Sequence, residues 1–329
     1  MPTRSARTSV VNLNSNANRA PIMNSQFDEL SKASGQSLTR RQAFKTFGLG
    51  LASLALARFG LYEAQAITNG QLDGNAHPNV GGFVWLKNIW SPDPAPVVVG
   101  TASLIHPRVV LSAGHGTYAV ESAIANGMMT IDDLLISFAS DASTGFQHAI
   151  SEVITHPKFD TNGPTLDGAG NIPLADVGVA ILRKPIYDLP LTPLPPLGFL
   201  DARLAAGQLK AGSVRADFTV VGYGSELGDN NGHWLFPPDG QRRVARSKFK
   251  KLHDRWLFLD QNPAQGLGGT GPGDSGGPNY WIDPLTGAPI LVAITSRGSW
   301  TLETQYRVDT SEVLTFLNQV IASVEAGER

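Results

Sequence analysis

Gly271-Pro272-Gly273-Asp274-Ser275-Gly276-Gly277-Pro278 is the stretch on which the reading of this chain turns. A serine hydroxyl is a poor nucleophile at neutral pH and needs a base to take its proton. It also needs donors aimed at the oxygen on which charge develops. Glycines on both sides of Ser275 let the backbone turn tightly and expose N–H groups beside the hydroxyl. The plain alternative is a Gly-rich surface turn.

A base is sought outward from Ser275. Val110-Leu111-Ser112-Ala113-Gly114-His115 is an apolar strand running into a small-small-His turn, which places an imidazole at a strand end. The other six histidines stand near Pro, Gly or charges and read as loop residues. An orienting acid is offered by Asp176, at the mouth of the apolar run Val177–Leu182. A carboxylate there is costly to bury unless paired, and a histidine N–H is a suitable partner. Taken alone, Asp176 reads more readily as a plain strand-start residue; the three together, in the order His, Asp, Ser, are far more specific.

The rest of the chain is short apolar runs broken by Gly, Pro, Asn and Asp. Strands are expected at Val97–Leu104, Val109–Ser112, Leu134–Phe138 and Val177–Leu182, and then at Phe218–Val221, Arg243–Phe249, Trp256–Leu259 and Ile290–Thr295. No strand–helix alternation suggests a doubly wound sheet. The Pro-rich stretch Lys184–Leu200 divides the two groups as a connector. Val313, Leu314, Phe316, Leu317, Val320, Ile321 and Val324 recur at helical spacing after Thr310 or Ser311, either of which could cap a C-terminal helix.

With these residues in hand, the chain resembles the chymotrypsin/trypsin-like serine peptidases over most of residues 67–325. Gly100-Thr101-Ala102-Ser103-Leu104-Ile105 and the His115 turn look like that family's first-barrel strands. Val221-Gly222-Tyr223-Gly224 looks like the opening strand of its second barrel, and Ala293-Ile294-Thr295-Ser296-Arg297-Gly298 like its substrate-pairing strand. The octet around Ser275 is the most specific match. The resemblance implies an all-β fold of two antiparallel six-stranded barrels with a C-terminal α-helix. The first barrel would span about 67–190, a linker about 184–213, the second barrel about 214–308 and the helix about 311–325. It implies a serine endopeptidase acting on protein or peptide substrates. Ser275 would attack, His115 would move the proton, Asp176 would orient His115, and the N–H groups of Gly273 and Ser275 would bind the oxyanion.

The resemblance also implies that a freed amine at Ile67 pairs with Asp274, and that Gly269, Thr270, Ser296, Arg297 and Gly298 line the substrate site. The floor residue, six before the nucleophile, is Gly269 rather than an acid. With Thr270, Gly298 and Thr304 around it, the expectation is a neutral pocket for an apolar or small side chain. The departures are Gly116 in place of the usual Cys after the histidine, Arg297 in place of an aromatic, and Ile67-Thr68-Asn69-Gly70 in place of the common start.

Residues 1–66 read as a disordered leader and an export signal. Arg40-Arg41 precede an apolar run from Phe47 to about Ala57, too short for a confident membrane span. The arginine pair resembles a twin-arginine signal; an ordinary secretory signal or a membrane anchor are the alternatives. Ala55-Leu56-Ala57 and Ala64-Gln65-Ala66 are both candidate cleavage sites, and Met23 is a second candidate start. The protein is therefore expected in the periplasm or outside the cell, with no stable membrane anchor after cleavage.

Composition bounds the remaining classes. The chain has 329 residues, 42% hydrophobic and 16% charged, enough for a sizeable core. Net charge is −2, which gives no case for nucleic-acid binding. The absence of cysteine excludes disulfides, thiolate metal sites and cysteine nucleophiles. No cofactor and no metal ligand set is expected. The basic run from Arg242 to Arg255 reads as the solvated face of a strand, a polyanion site being the alternative. An α/β-hydrolase is ruled against because no histidine follows Ser275. A catalytically silent, peptidase-like binding protein is the competing class.

Overall fold

The computed structural model describes residues 67, 70–86, 96–164, 172–212, 217–225, 238–262, 265–299 and 302–329. The expected leader, export signal and cleavage sites within residues 1–66 lie outside the described residues.

Alternation along the strands separates the cores. In β7 (Gly178–Leu182), Val179 and Ile181 face one cluster while Ala180 and Leu182 face another. In β10 (Trp256–Asp260), Trp256 and Phe258 join the first of these, and Leu257 and Leu259 a third. Each sheet thus has an inner face and an outer one, as a period-two pattern requires. The protein is built as two closed, antiparallel, six-stranded barrels with a C-terminal helix. The first joins β2 (Val80–Trp85), β3 (Val97–His106), β4 (Val109–Ser112), β7, β6 (Gln147–Thr155) and β5 (Leu134–Ser137), with β5 closing onto β2. The second joins β8 (Asp217–Gly222), β9 (Arg243–Leu252), β10, β13 (Leu302–Arg307), β12 (Pro289–Ser299) and β11 (Pro278–Ile282), with β11 closing onto β8. Closure leaves no unpaired edge within either barrel. The short strand β1 (Gln71–Leu72), ahead of the first barrel in sequence, pairs instead with Arg243 and Val244 of β9.

The cluster shared by both barrels contains Val80, Leu111, Val179, Val221, Phe258 and Ile294, together with Val313, Leu317 and Val320 of the C-terminal helix. That helix, Ser311–Glu325, is capped by Thr310, whose side chain accepts from the Val313 N–H. We call it α3; α1 is Gly114–Ala125 and α2 is Phe199–Ala205. No helix among the described residues is long and apolar enough to cross a membrane.

The basic run departs from its expected reading. Arg242 is buried, not solvated. Its Nε donates to Asp73 at 2.8 Å, and its other nitrogens donate to the carbonyls of Val80, Phe138 and Gly74 and to the Tyr223 hydroxyl. A guanidinium with its donors satisfied in this way ties the N-terminal segment to both barrels. Arg243 is buried as well, paired with Asp239, whereas Arg246 and Lys250 of β9 are exposed as expected.

Candidate active site

His115 does not sit in a simple turn at a strand end. It lies in the first turn of the twelve-residue helix α1. Ala113, at the N-cap, offers no side-chain cap. The cap comes from Asp176, whose Oδ1 accepts the His115 main-chain N–H at 2.7 Å. A carboxylate at a helix N-terminus satisfies an orphan donor and the helix dipole together. The same carboxylate meets His115 Nδ1 at 3.0 and 3.1 Å. Gly114 permits this approach: a Cβ there would fall 2.7 Å from the Val177 nitrogen.

Asp176 is fully buried. It follows Ala175, whose φ of 46° is a left-handed conformation that costs a non-glycine residue about 1–2 kcal/mol. The Ala175 N–H donates to the Tyr306 hydroxyl at 3.0 Å, which fixes the turn. The third donor on Asp176 is Ser296, whose Oγ lies 2.5 Å from Oδ2. Ser296 is the extra residue of a β-bulge: Thr295 pairs with Gln305 and Arg297 with Thr304, so Ser296 has no partner across the ladder. Bulges re-aim side chains, and this one directs a hydroxyl at the acid. Ser296 thus serves the His–Asp pair, beyond the substrate-site role expected for it.

Burial by itself would lower the His115 pKa. The charge and hydrogen bond of Asp176 overcome it and raise the imidazole above the usual histidine value.

Ser275 is half-exposed, between two turns of backbone held from opposite sides. On the first-barrel side, Thr101 of β3 donates its N–H to the Ser275 carbonyl at 2.9 Å. The Thr101 hydroxyl donates to the Gly273 carbonyl at 2.9 Å and accepts from the Tyr223 N–H at 3.1 Å. On the other side, Gly276 N–H donates to the Thr295 carbonyl and Thr295 N–H returns to the Gly277 carbonyl. Gly276 has a φ of 82°, and a Cβ there would come within 2.6 Å of the Ala113 nitrogen and 2.0 Å of Ser112 Oγ. The Ser275 turn therefore packs directly on the residues that lead into His115. Among the described residues no hydrogen bond joins Ser275 to His115 itself; in unliganded sites that bond is often long and tightens with substrate. Nor do the N–H groups of Gly273 and Ser275 find an acceptor among the described residues. Two unused donors beside a serine are what an oxyanion requires.

Asp274 is fully buried. Burial pushes its pKa up to about 7, against hydrogen bonds from the N–H groups of Gly271, Gly224 and Ile67. The pairing of Ile67 with Asp274 is thus present in the uncut chain as a main-chain N–H on a carboxyl group. Ile67 itself is buried among Phe199, Leu200, Phe218 and Val220.

Gly269, Thr270 and Gly298 come together, with Thr270 oxygens 3.3 and 3.6 Å from the position of a Cβ on Gly298. Arg297 is half-buried beside them on β12. Gly269 stands against two polar side chains. Glu303 of β13 and Gln261 reach it, with Glu303 Oε1 2.0 Å and Gln261 Oε1 1.7 Å from where a Gly269 Cβ would be. Only glycine fits over them. Glu303 was missed because it lies outside every motif; the register that puts it opposite Gly298 forms only in the fold. Among the described residues no three His, Asp or Glu side chains gather as a metal site. No protein-family model and no curated protein sequence matches this chain.

Proposed function

We propose that this protein is a serine endopeptidase of the chymotrypsin/trypsin-like kind, exported from the cell that makes it. The observation that carries this reading is the buried Asp176 carboxylate. It is bonded by the His115 imidazole, the His115 N–H and the Ser296 hydroxyl, on the wall against which the Ser275 turn packs. His115 Nε2 takes the proton as Ser275 Oγ attacks the scissile carbonyl. The oxyanion falls to the N–H groups of Gly273 and Ser275. As the C–N bond breaks, His115 returns the proton to the leaving amine. Water, deprotonated by the same imidazole, then attacks the acyl ester and releases the acid, restoring the Ser275 hydroxyl. Asp176 holds the imidazole in place and stabilises the imidazolium that forms.

Residues 67–329, produced with a free Ile67, are expected to cleave unfolded casein. Ser275→Ala and His115→Ala are expected to lose that cleavage while remaining folded. Folded protein that leaves casein intact, or cleavage that persists in Ser275→Ala, contradicts the reading. The second reading is a catalytically silent binding protein of the same fold. What favours it is the missing hydrogen bond between Ser275 and His115.

A further inference from the structure

Glycines apart, Ala175 alone among the described residues has a left-handed backbone, at a φ of 46°. Strain of this kind persists only where the surroundings over-determine it, and it collects beside functional groups. Here the next residue is Asp176. The chain on either side is pinned. Leu174 exchanges main-chain hydrogen bonds with Asp160 at 2.8 and 3.1 Å, and the Val177 carbonyl accepts from the His156 N–H at 2.9 Å. Between these anchors the Val177 N–H donates to the Ala175 carbonyl at 2.7 Å, closing a tight turn around Asp176. The Ala175 N–H goes out of that turn, to the Tyr306 hydroxyl at 3.0 Å.

Tyr306 is itself held fast. It is fully buried, and in β13 it stands between Ile294 of β12 and Trp256 of β10. Its ring meets the Trp256 ring edge-on at 6.1 Å and lies in the core that includes Val313 and Leu317 of α3. A phenol so packed cannot follow a turn that moves. The charged groups facing it are Glu312 of α3, Arg255 and Asp176. Burial, with the charge of Glu312, keeps the hydroxyl neutral where a histidine titrates. Glu312 is taken up by Lys158 at 3.2 Å and Arg255 at 3.4 Å, which leaves the phenol oxygen to Ala175.

Rotation of Ala175 from 46° to the negative φ that alanine prefers would swing the residue after it. Asp176 would then leave both the His115 N–H and the imidazole. The second barrel thus holds the acid twice: the Ser296 hydroxyl on its carboxylate, and the Tyr306 hydroxyl on the turn before it. We infer that Tyr306 is a positioning residue for the His115–Asp176 pair, its hydroxyl locking the strained Ala175 turn so that the carboxylate stays aimed at the imidazole. The inference rests on the peptidase reading only for its effect on turnover.

The test is the titration of His115, followed by NMR in the full chain and assigned by its absence in His115→Gln. Asp176 raises the His115 pKa, so a carboxylate that drifts away lets it fall. In Tyr306→Phe the His115 titration is expected about half a pH unit or more lower than in wild type. On peptide amides, with the chain starting at Ile67, kcat should fall about tenfold with KM nearly constant. Adding Ala175→Gly to Tyr306→Phe should restore both, because glycine holds a positive φ without strain. A folded Tyr306→Phe that only melts earlier, with His115 titrating as in wild type, overturns the inference. So does a double variant no better than Tyr306→Phe. If Tyr306→Phe does not fold, hydrogen exchange in the wild type decides: an Ala175 amide as slow as those of β7 supports the lock, and one far faster overturns it. If His115 titrates as expected in every variant but none hydrolyses an amide, the peptidase reading falls and the positioning role of Tyr306 stands.

Discussion

The Ser296 hydroxyl lies 2.5 Å from Asp176 Oδ2, while the His115 main-chain N–H holds Oδ1 at 2.7 Å. One carboxylate thus fixes a helix start, an imidazole and a bulged strand. Three elements far apart in sequence meet on two oxygens.

Removing the Ser296 donor should be felt in the chemistry. A hydrogen bond to a charged group contributes about 1.5–3 kcal/mol. Ser296→Ala is expected to lower kcat/KM by roughly tenfold or more. Steady-state kinetics on one peptide amide would check this, and unchanged kinetics would remove Ser296 from the acid's support.

On the peptidase reading, Thr101 positions the Ser275 turn. Thr101→Val keeps the shape and the main-chain bond to Ser275, but loses the hydroxyl bonds to Gly273 and Tyr223. It leaves the Tyr223 N–H unsatisfied, at a cost of about 1–3 kcal/mol in stability. If the Gly273 carbonyl sets the oxyanion donors, kcat should fall with KM nearly constant, and Thr101→Ser should recover it. Equal loss in kcat and stability with no recovery would mean a merely structural hydroxyl.

The pH profile follows from the sign of the His115 shift. Its pKa is raised, because Asp176 outweighs burial. A general base must be neutral, so the acid limb of kcat/KM is expected above the ordinary histidine value of about 6.5. Asp176→Asn removes the raising charge and should move that limb downward while cutting kcat severely. A limb below 6.5 in the wild type would contradict the pairing.

Much of this was legible in the sequence, and the failures have physical reasons. The apolar runs of β4 and β7 and the helical spacing of α3 declared themselves. β13 did not, because Glu303 and Gln305 face inward where a strand pattern leads one to expect apolar residues. β2 was not expected, because Gly81-Gly82 weaken the signal of a strand. A Cβ on Gly81 would in fact strike Ile136 at 2.8 Å. α1 was missed because its first turn holds Gly114 and Gly116 and its cap is Asp176, which no local signal reveals. The motifs that carry His115, Asp176 and Ser275 were readable because they are short and local; Glu303 and the Ser296 bulge arise from register.

Glu303 makes a stability prediction of its own. Burial pushes its pKa up to about 8 from an unfolded value near 4.5. The folded state therefore holds a proton that the unfolded state has lost, and stability falls as pH rises from about 4.5 through 8. Glu303→Gln removes that penalty. Its melting temperature relative to wild type is expected to gain a few degrees more at pH 8 than at pH 5. A constant difference across that range would contradict the burial of an ionisable group there.

Ile67 makes the last prediction. In the uncut chain its N–H meets a carboxyl group whose pKa stands at about 7. Cleavage after Ala66 would replace that N–H by an ammonium, which favours the ionised carboxylate. A chain starting at Ile67 is expected to outperform one starting at Arg58 by at least about tenfold in kcat/KM. Equal activity would mean that the N-terminus does not order the site.

The most direct test is to treat residues 67–329 with a fluorophosphonate and map the adduct by mass spectrometry. An adduct on Ser275 is expected, absent in Ser275→Ala, lost on mild denaturation and lost in His115→Ala. A folded sample that takes no adduct, or takes one that survives His115→Ala, would contradict an assembled triad of His115, Asp176 and Ser275.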